Sequence, residues 1–346
     1  MTRHQNVIYV TTQGAWLNKD GQNVVVSVDG AERARMPIHQ LAGIVGFGRV
    51  ALSAPLLGFC CESGITVTHL DERGRFLARV EGPVSGNVLL RREQYRRADD
   101  PDACAALVRS IVTGKTLNQR AVLRRALRDH REAMPPAAVA ALEEAERRLT
   151  DIARRCAKPQ DTDALRGLEG EAGAVYFAAF PRLIRRPEPE LTFATRSRRP
   201  PLDAVNALLS FLYALLTHDL RAACETVGLD PQVGFLHRLR PGRPSLALDL
   251  VEEFRPWLAD RTALSLLNRR QLDPEDFSRD ENGGVRLADD ARRTVLVAWQ
   301  ERKREAIRHV FLGEPSEVGL IPHLQAQLLA RTLRGDLDLY PPFVWK

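Results

Sequence analysis

The feature that most narrows the possible folds is a change of hydrophobic period close to Gly82-Pro83. Upstream, apolar and β-branched residues come in short runs bounded by turn formers; downstream, they recur at helical spacing. The upstream runs are Asn6–Thr12, Val24–Val28, Gly43–Phe47, Gly64–Leu70 and Arg75–Val80. Gly14, Lys19-Asp20-Gly21, Asp29-Gly30 and the Asp71–Gly74 segment read as reversals between them. Ser53–Glu62 reads as a short helix, with Ser53 as its cap and Pro55 in its first turn. Strands at this spacing predict a small sandwich or barrel-like β unit.

Beyond the break the helical period holds through Leu89–Gln94, Ala103–Thr113, Leu117–Arg131, Ala137–Cys156, Leu165–Phe180, Asp203–Val227, Ser245–Asp260, Asp289–Phe311 and Pro322–Arg334. The expected fold class is therefore α+β and multidomain. Residues 1–90 form a small N-terminal β-sandwich-like domain and 91–346 a larger all-α domain, with the boundary near 82–96. A chain of 346 residues can bury its cores without disulfides or structural metal. Its five cysteines are odd in number and none forms a CxxC pair, which predicts reduced thiols and no zinc-thiolate site. No uncharged apolar run approaches the roughly eighteen residues a membrane span needs, and the N-terminus lacks an export signal, so a cytoplasmic protein is expected. The apolar C-terminal tail, Tyr340–Trp345, is expected to fold back on its own domain.

Three segments of the helical part carry candidate chemistry. In Leu165–Phe177, Gly167, Gly170 and Gly173 interrupt a helical pattern at a cost of about 1 kcal/mol each relative to alanine. Glycine there would let a backbone or a ligand come close and leave Glu169 free to project a carboxylate; close helix packing is the plainer explanation. In Val233–Arg243, His237 follows an apolar run and precedes a basic Pro-Gly turn, where a hydrogen-bonded structural histidine is the plainer explanation. In Ser245–Pro256, Asp249, Glu252 and Glu253 stand at i, i+3 and i+4, three carboxylates on one helical face that repel one another unless a cation sits among them. A solvated acidic face is the alternative.

Taken together, Glu169, His237 and a carboxylate from Asp249 or Glu252 make a mixed oxygen–nitrogen ligand set. It suits Mg²⁺ or Mn²⁺, the imidazole favouring Mn²⁺. The chain carries a net charge of +6. Arg182, Arg185, Arg186, Arg196, Arg198 and Arg199 face only Glu188 and Glu190 in their stretch, and Arg238, Arg240 and Arg243 follow His237 directly. Such a surplus suits phosphate-backbone binding, and an aromatic content of only 6% argues for duplex over base-stacked single strands. Phosphodiester chemistry on DNA is the reading these residues favour.

At these segments the sequence resembles the CRISPR-associated integrase family, the metal-dependent DNA endonucleases of spacer acquisition. LRGLEG at 165–170 followed by Tyr176-Phe177, GFLH at 234–237 and SLALDLVEEFRP at 245–256 resemble three family motifs in order, the last in the wording of a subtype I-C-like branch. The resemblance implies Glu169, His237 and Glu252 as metal ligands, Asp249 as a supporting acid, and Tyr213 near the site. Aspartate is frequent in the family where this chain has Glu252, so Glu253 is an alternative ligand. It also implies joining of a short duplex to a CRISPR array by 3′-hydroxyl transesterification, a homodimer formed through the β unit, and a small ferredoxin-like partner that bridges two dimers. The rivals are a general or branched-DNA metal nuclease and a non-catalytic DNA-binding scaffold.

Overall fold

The structure is a computed structural model that describes residues 6–72, 76–80, 82 and 88–345, so the Asp71–Gly74 turn, the Arg75–Val80 run and the Gly82-Pro83 break lie partly outside the described residues. The chain divides into two compact units, Met1–Gly86 and Asn87–Lys346.

Two four-stranded sheets build the first unit. One has the order β1 (Asn6–Val10), β5 (Leu41–Phe47), β7 (Thr66–Leu70) and β8 (Phe76–Val80). The other has the order β4 (Ala31–Pro37), β3 (Asn23–Val28), β2 (Trp16–Asp20) and β6 (Ala51–Leu52). Pairs β1–β5, β5–β7 and β2–β6 are parallel, which departs from an all-antiparallel sandwich. Helix α1 (Ala54–Glu62) lies in the crossover between β5 and β7 that parallel neighbours require. It begins where the sequence places it, with Ser53 Oγ accepting the Leu56 amide at 3.4 Å. Val10, Leu17, Val24, Ile44, Leu56 and Val67 bring both sheets and α1 into one core. Strands β2 and β4 escape the sequence reading because they are charged and largely exposed, so no apolar alternation marks them. Lys19-Asp20 ends β2 instead of turning the chain; Asp20 pairs with Asn23 across Gly21-Gln22, and Gly21 takes the positive φ of 57° that this tight reversal needs.

The second unit is mainly helical: α2 (Val88–Asp99), α3 (Pro101–His130), α4 (Pro136–Cys156), α5 (Thr162–Ala179), α6 (Ala204–Val227), α7 (Ser245–Phe254), α8 (Arg261–Asn268), α9 (Asp289–Arg304) and α10 (Ile321–Leu333). It is not all-α. Two hairpins, β9 (Phe277–Arg279) with β10 (Val285–Leu287) and β11 (Ala306–Arg308) with β12 (Pro315–Glu317), interrupt it. The second hairpin takes the end of the segment expected to be one helix as far as Phe311. The two helices expected within 103–131 are one helix, α3, of 30 residues. Gly114 does not break it; a Cβ there would lie 2.7 Å from Pro342 Cβ, so the glycine admits the C-terminal tail. The helix expected over 245–260 leaves α geometry after Phe254 and widens into a π-helical turn over Arg255–Asp260, where Pro256 lacks the amide hydrogen the ladder needs.

Helix α3 packs against α4, α5 and α7, and α6 packs against α7 and α10. The tail returns to this core as expected. Phe343 is 1% exposed, with its ring centroid 4.6 Å from that of Trp257. Asn118 Nδ2 donates to the carbonyls of Glu253 at 2.7 Å and Phe343 at 2.8 Å, tying α3, α7 and the tail together. Phe343→Ala is therefore expected to cost about 3–5 kcal/mol in urea unfolding, the usual loss for an emptied aromatic site; a loss below ~1 kcal/mol would show that the tail is not part of the core.

Candidate active site

The site is assembled by the segment between α6 and α7. Helix α6 ends on Gly228, at φ 89°, and residues 229–244 then run without helix or strand. Three side chains pin that irregular run. Buried Gln94 of α2 donates to the carbonyls of Asp230 at 2.8 Å and Val233 at 2.7 Å. Arg166 of α5 donates to the carbonyl of Leu236 at 2.7 Å. Asp249 of α7, fully buried, accepts the amides of Phe235, Leu236 and His237 at 2.6, 3.0 and 2.9 Å. A Cβ on Gly234 would fall 2.6 Å from Asp249 Oδ2, so only glycine lets the loop come this close.

Asp249 also fixes the imidazole. His237 Nδ1 lies 2.7 Å from Asp249 Oδ1, and a carboxylate whose neighbours are all donors assigns the ring proton to Nδ1. The lone pair is then on Nε2, 3.8 Å from Glu252 Oε1. Glu252 is held from two more directions. Arg255 Nη1 donates to its Oε1 at 2.6 Å, and Lys115 Nζ of α3 stands 2.7 Å from its Oε2. The same ammonium donates to Glu169 of α5. Glu169, Glu252 and His237, far apart in sequence, are thus gathered at the junction of α3, α5 and α7. Among the described residues no three acidic, histidine or cysteine side chains form a bare metal cage; the Lys115 ammonium lies between the two glutamates. Burial opposes charge on Lys115, but Glu252 and Glu169 outweigh it and hold its pKa above the ordinary value. Burial also opposes charge on Glu252, yet Arg255 and Lys115 keep its carboxyl below the usual range. The side chains of Glu169 and His237 are 29% and 20% exposed against 2% for Glu252, so the centre opens to solvent on their side.

The three acidic residues of α7 do not share one environment. Steps of 100° per residue put Glu252 and Glu253 on opposite flanks of Asp249. Glu253 accepts the Phe343 amide at 2.5 Å, Gln325 Nε2 at 3.2 Å and the Tyr340 hydroxyl. It binds the tail, away from Lys115 and His237, and burial pushes its carboxyl up to about 8. A solvated acidic face is ruled out, since all three carboxylates are buried. Tyr213 stands behind the centre: its hydroxyl donates to Asp260 at 2.6 Å, and its ring lies 4.8 Å from the Arg255 guanidinium that grips Glu252. Gly167, Gly170 and Gly173 do not serve close packing; a Cβ on any of them would meet no atom within 4 Å. Lys115, Arg166 and Arg255 are functional candidates that sequence reasoning missed. Lys115 had one usable signal, a lone lysine inside a helix stretch of apolar and amide residues.

The arginines separate into two groups. Arg186 is a correction: with a 2% exposed side chain it bonds Glu188, the Asp273 carboxylate at 2.7 Å and the carbonyls of Leu267 and Leu272, so it is structural and cannot meet DNA. Arg196 is likewise committed, to Asn206 Oδ1 at 2.6 Å and Ser210 Oγ at 3.2 Å. Arg182, Arg185, Arg198, Arg199, Arg238 and Arg240 are not buried; Arg238 pairs with Asp163 at 3.5 Å. Burial and then the charge of Arg240 lower the pKa of Arg243; Asp249 opposes this and Arg199 and Arg198 add to it, so all three arginines act on Arg243 within electrostatic range as one cationic cluster.

Residues 8–301 match the family model of CRISPR associated protein Cas1. CRISPR-associated endonuclease Cas1 2 of Rhodospirillum rubrum is 57% identical over 347 residues, covering all of both chains. A solved casposase bound to integration product superposes with a TM-score of 0.83 at 22% identity, over 99% of this chain and 95% of that one. A Cas6-RT-Cas1–Cas2 complex matches with a TM-score of 0.78 at 23% identity, over 100% of this chain and 36% of that one. Fold and relatives define the class, a nuclease with a β-rich N-terminal unit and a helical C-terminal unit. The chain belongs to the Cas1 family of CRISPR-associated endonucleases.

Asp249→Asn keeps the shape but turns an NH₂ toward donors. If His237 holds a divalent ion, the change is expected to weaken its binding by about 10–100-fold, as changes behind a metal-ligating histidine do, read by calorimetric titration with Mn²⁺. Unchanged affinity would show that Asp249 does not orient His237.

Proposed function

We propose that this chain is the integrase of CRISPR spacer acquisition, a metal-dependent endonuclease that joins short duplex DNA to the array by transesterification. The observation that carries the reading is the meeting of Glu169, Glu252 and His237 Nε2 around one cationic position beside the Arg198, Arg199, Arg240 and Arg243 cluster. The donor set fits a divalent ion. Glu252 Oε2 is buried, and among the described residues its compensation is the Lys115 ammonium 2.7 Å away. His237 turns a bare nitrogen toward the same carboxylate, and oxygen donors with one imidazole suit Mg²⁺ or Mn²⁺. Glu169, Glu252 and His237 would hold the ion, with Glu253 excluded as third ligand by its bonds to the tail.

A bound ion would polarise the target phosphodiester and stabilise charge on the attacking and leaving oxygens. The chain does the rest by positioning. Asp249 keeps the His237 proton on Nδ1, Arg255 fixes the Glu252 carboxylate, and the arginine cluster neutralises backbone phosphates without reading bases. The incoming 3′-oxygen forms its bond to phosphorus as the bond to the leaving strand's 3′-oxygen breaks, so the number of phosphodiesters is conserved and no enzyme nucleophile is needed. Joining on opposite strands requires two sites, which supports a homodimer formed through the N-terminal unit. The Cas1–Cas2 complex matched above supports a small bridging partner of that kind for this chain, expected to be ferredoxin-like. The wording of residues 245–256 supports a subtype I-C-like branch. No helix among the described residues is long and apolar enough to cross a membrane, in keeping with a cytoplasmic site of action.

Purified protein, labelled duplex, Mn²⁺ and a supercoiled repeat-bearing plasmid test the reading. Glu169→Ala and His237→Ala are expected to lower joining by about 10²–10³-fold or more with duplex affinity within about twofold. Cleavage without joined product would favour a plain nuclease, and salt-sensitive binding without either a scaffold. Replacing Arg198, Arg199 and Arg240 with alanine should lower affinity and flatten its salt dependence by about 0.9 in log–log slope for each phosphate that is no longer neutralised. An unchanged slope would remove this cluster from the DNA path.

A further inference from the structure

Lys115 takes no part in the proposed chemistry, yet it lies between two of the proposed ligands. We infer that its ammonium is a built-in counter-ion that holds Glu169 and Glu252 together in the metal-free protein and is displaced when the divalent ion loads. The inference rests on the reading of those two residues and His237 as ligands.

Four observations support it. Lys115 is 6% exposed and reaches the pair from a third helix, touching a carboxylate of α5 and one of α7. It is the only hydrogen-bond or ion-pair partner of Glu169 among the described residues, so none of the others orients that carboxylate. Lys115 and Arg255 stand against three carboxylates, Glu169, Glu252 and the Asp249 behind His237, so the centre is one charge short of neutral before any ion enters. A dication added to that set leaves an excess of buried positive charge unless one of the two cations withdraws.

The two cations are not equally able to leave. Arg255 is bonded to Glu252 at 2.6 Å and lies 4.8 Å above the Tyr213 ring, so it is held by packing as well as charge. Lys115 is a compact ammonium on a flexible stem, tied to Glu252 Oε2 by an ion pair at 2.7 Å with no ring of the described residues stacked on it. Only five of the fifty basic residues are lysine, and one of the five occupies this position. A guanidinium would bridge the same carboxylates through a rigid fork and resist displacement.

Binding of Mn²⁺ alone, followed by the decrease of the free-ion electron paramagnetic resonance signal, tests this in Lys115→Met, wild type and Lys115→Arg. Melting without metal serves as the fold control. Lys115→Met should bind Mn²⁺ roughly tenfold more tightly than wild type, melt lower without metal, and regain that difference when Mn²⁺ is added. Lys115→Arg should melt no lower than wild type without metal but bind Mn²⁺ roughly tenfold more weakly. A residue needed only for structure gives a different pattern, with Lys115→Met binding Mn²⁺ more weakly; that result, or equal binding, overturns the inference. Should Lys115→Met fail to fold, Lys115→Arg decides alone, and wild-type affinity in it is the overturning result. Glu169→Gln separates the two claims. If it leaves wild-type Mn²⁺ binding unchanged, the ligand assignment itself fails; if it removes binding while the lysine series shows no order, only the counter-ion role fails.

Discussion

One buried carboxylate organises the candidate site. Asp249 collects three consecutive backbone amides and the Nδ1 hydrogen of His237, an arrangement that closes an otherwise irregular loop onto α7. A carboxylate with that many donors has its oxygens satisfied by hydrogen bonds, so its burial is tolerated. The consequence at the other end of the ring is chemical. With the proton fixed on Nδ1, Nε2 is left as a bare donor turned toward Glu252, the orientation that a carboxylate behind a metal-binding histidine imposes. Loop shape, tautomer and donor direction follow from the same four hydrogen bonds.

Around that anchor the unit handles its buried charges by pairing them in series. Glu252 is shared between Arg255 and Lys115, Arg255 lies on the Tyr213 ring, and Tyr213 passes its hydroxyl hydrogen bond to Asp260. Burial pushes Asp260 up to about 6. From behind, the tail engages α7 through Glu253 and α3 through Asn118, so the helices carrying Glu252 and Lys115 are braced against each other by a segment remote in sequence. The open side is that of Glu169 and His237, whose side chains keep some exposure while Glu252 is buried. A rigid back and an accessible front suit a site whose substrate is a large, stiff polyanion.

The division into β-rich and helical parts was legible because hydrophobic period is a local property, and so was the Ser53 cap. The acidic residues of α7 and His237 were also legible as candidates, since their residue types and the family wording single them out. What stayed hidden depends on contacts between distant segments. Gly167, Gly170 and Gly173 stand out in the sequence yet face open space. Gly114 and Gly234, the glycines that backbone approach requires, look ordinary there because Pro342 is far from one and Asp249 is out of register with the other. Arg186 reads as one more member of a basic run, and only the fold reveals that Glu188, Asp273 and two carbonyls consume it. The charged edge strand β4, the two short hairpins of the second unit and the π-helical turn at Pro256 likewise leave no periodic trace.

The central claim is that Glu169, His237 and Glu252 bind one divalent ion. Crystals grown with Mn²⁺ and measured at its absorption edge test it most directly. The account predicts a single strong anomalous peak about 2.0–2.3 Å from His237 Nε2 and from a carboxylate oxygen of each glutamate. A peak held by other residues, or none at this junction with Lys115 still bridging the two carboxylates at saturating Mn²⁺, would contradict it.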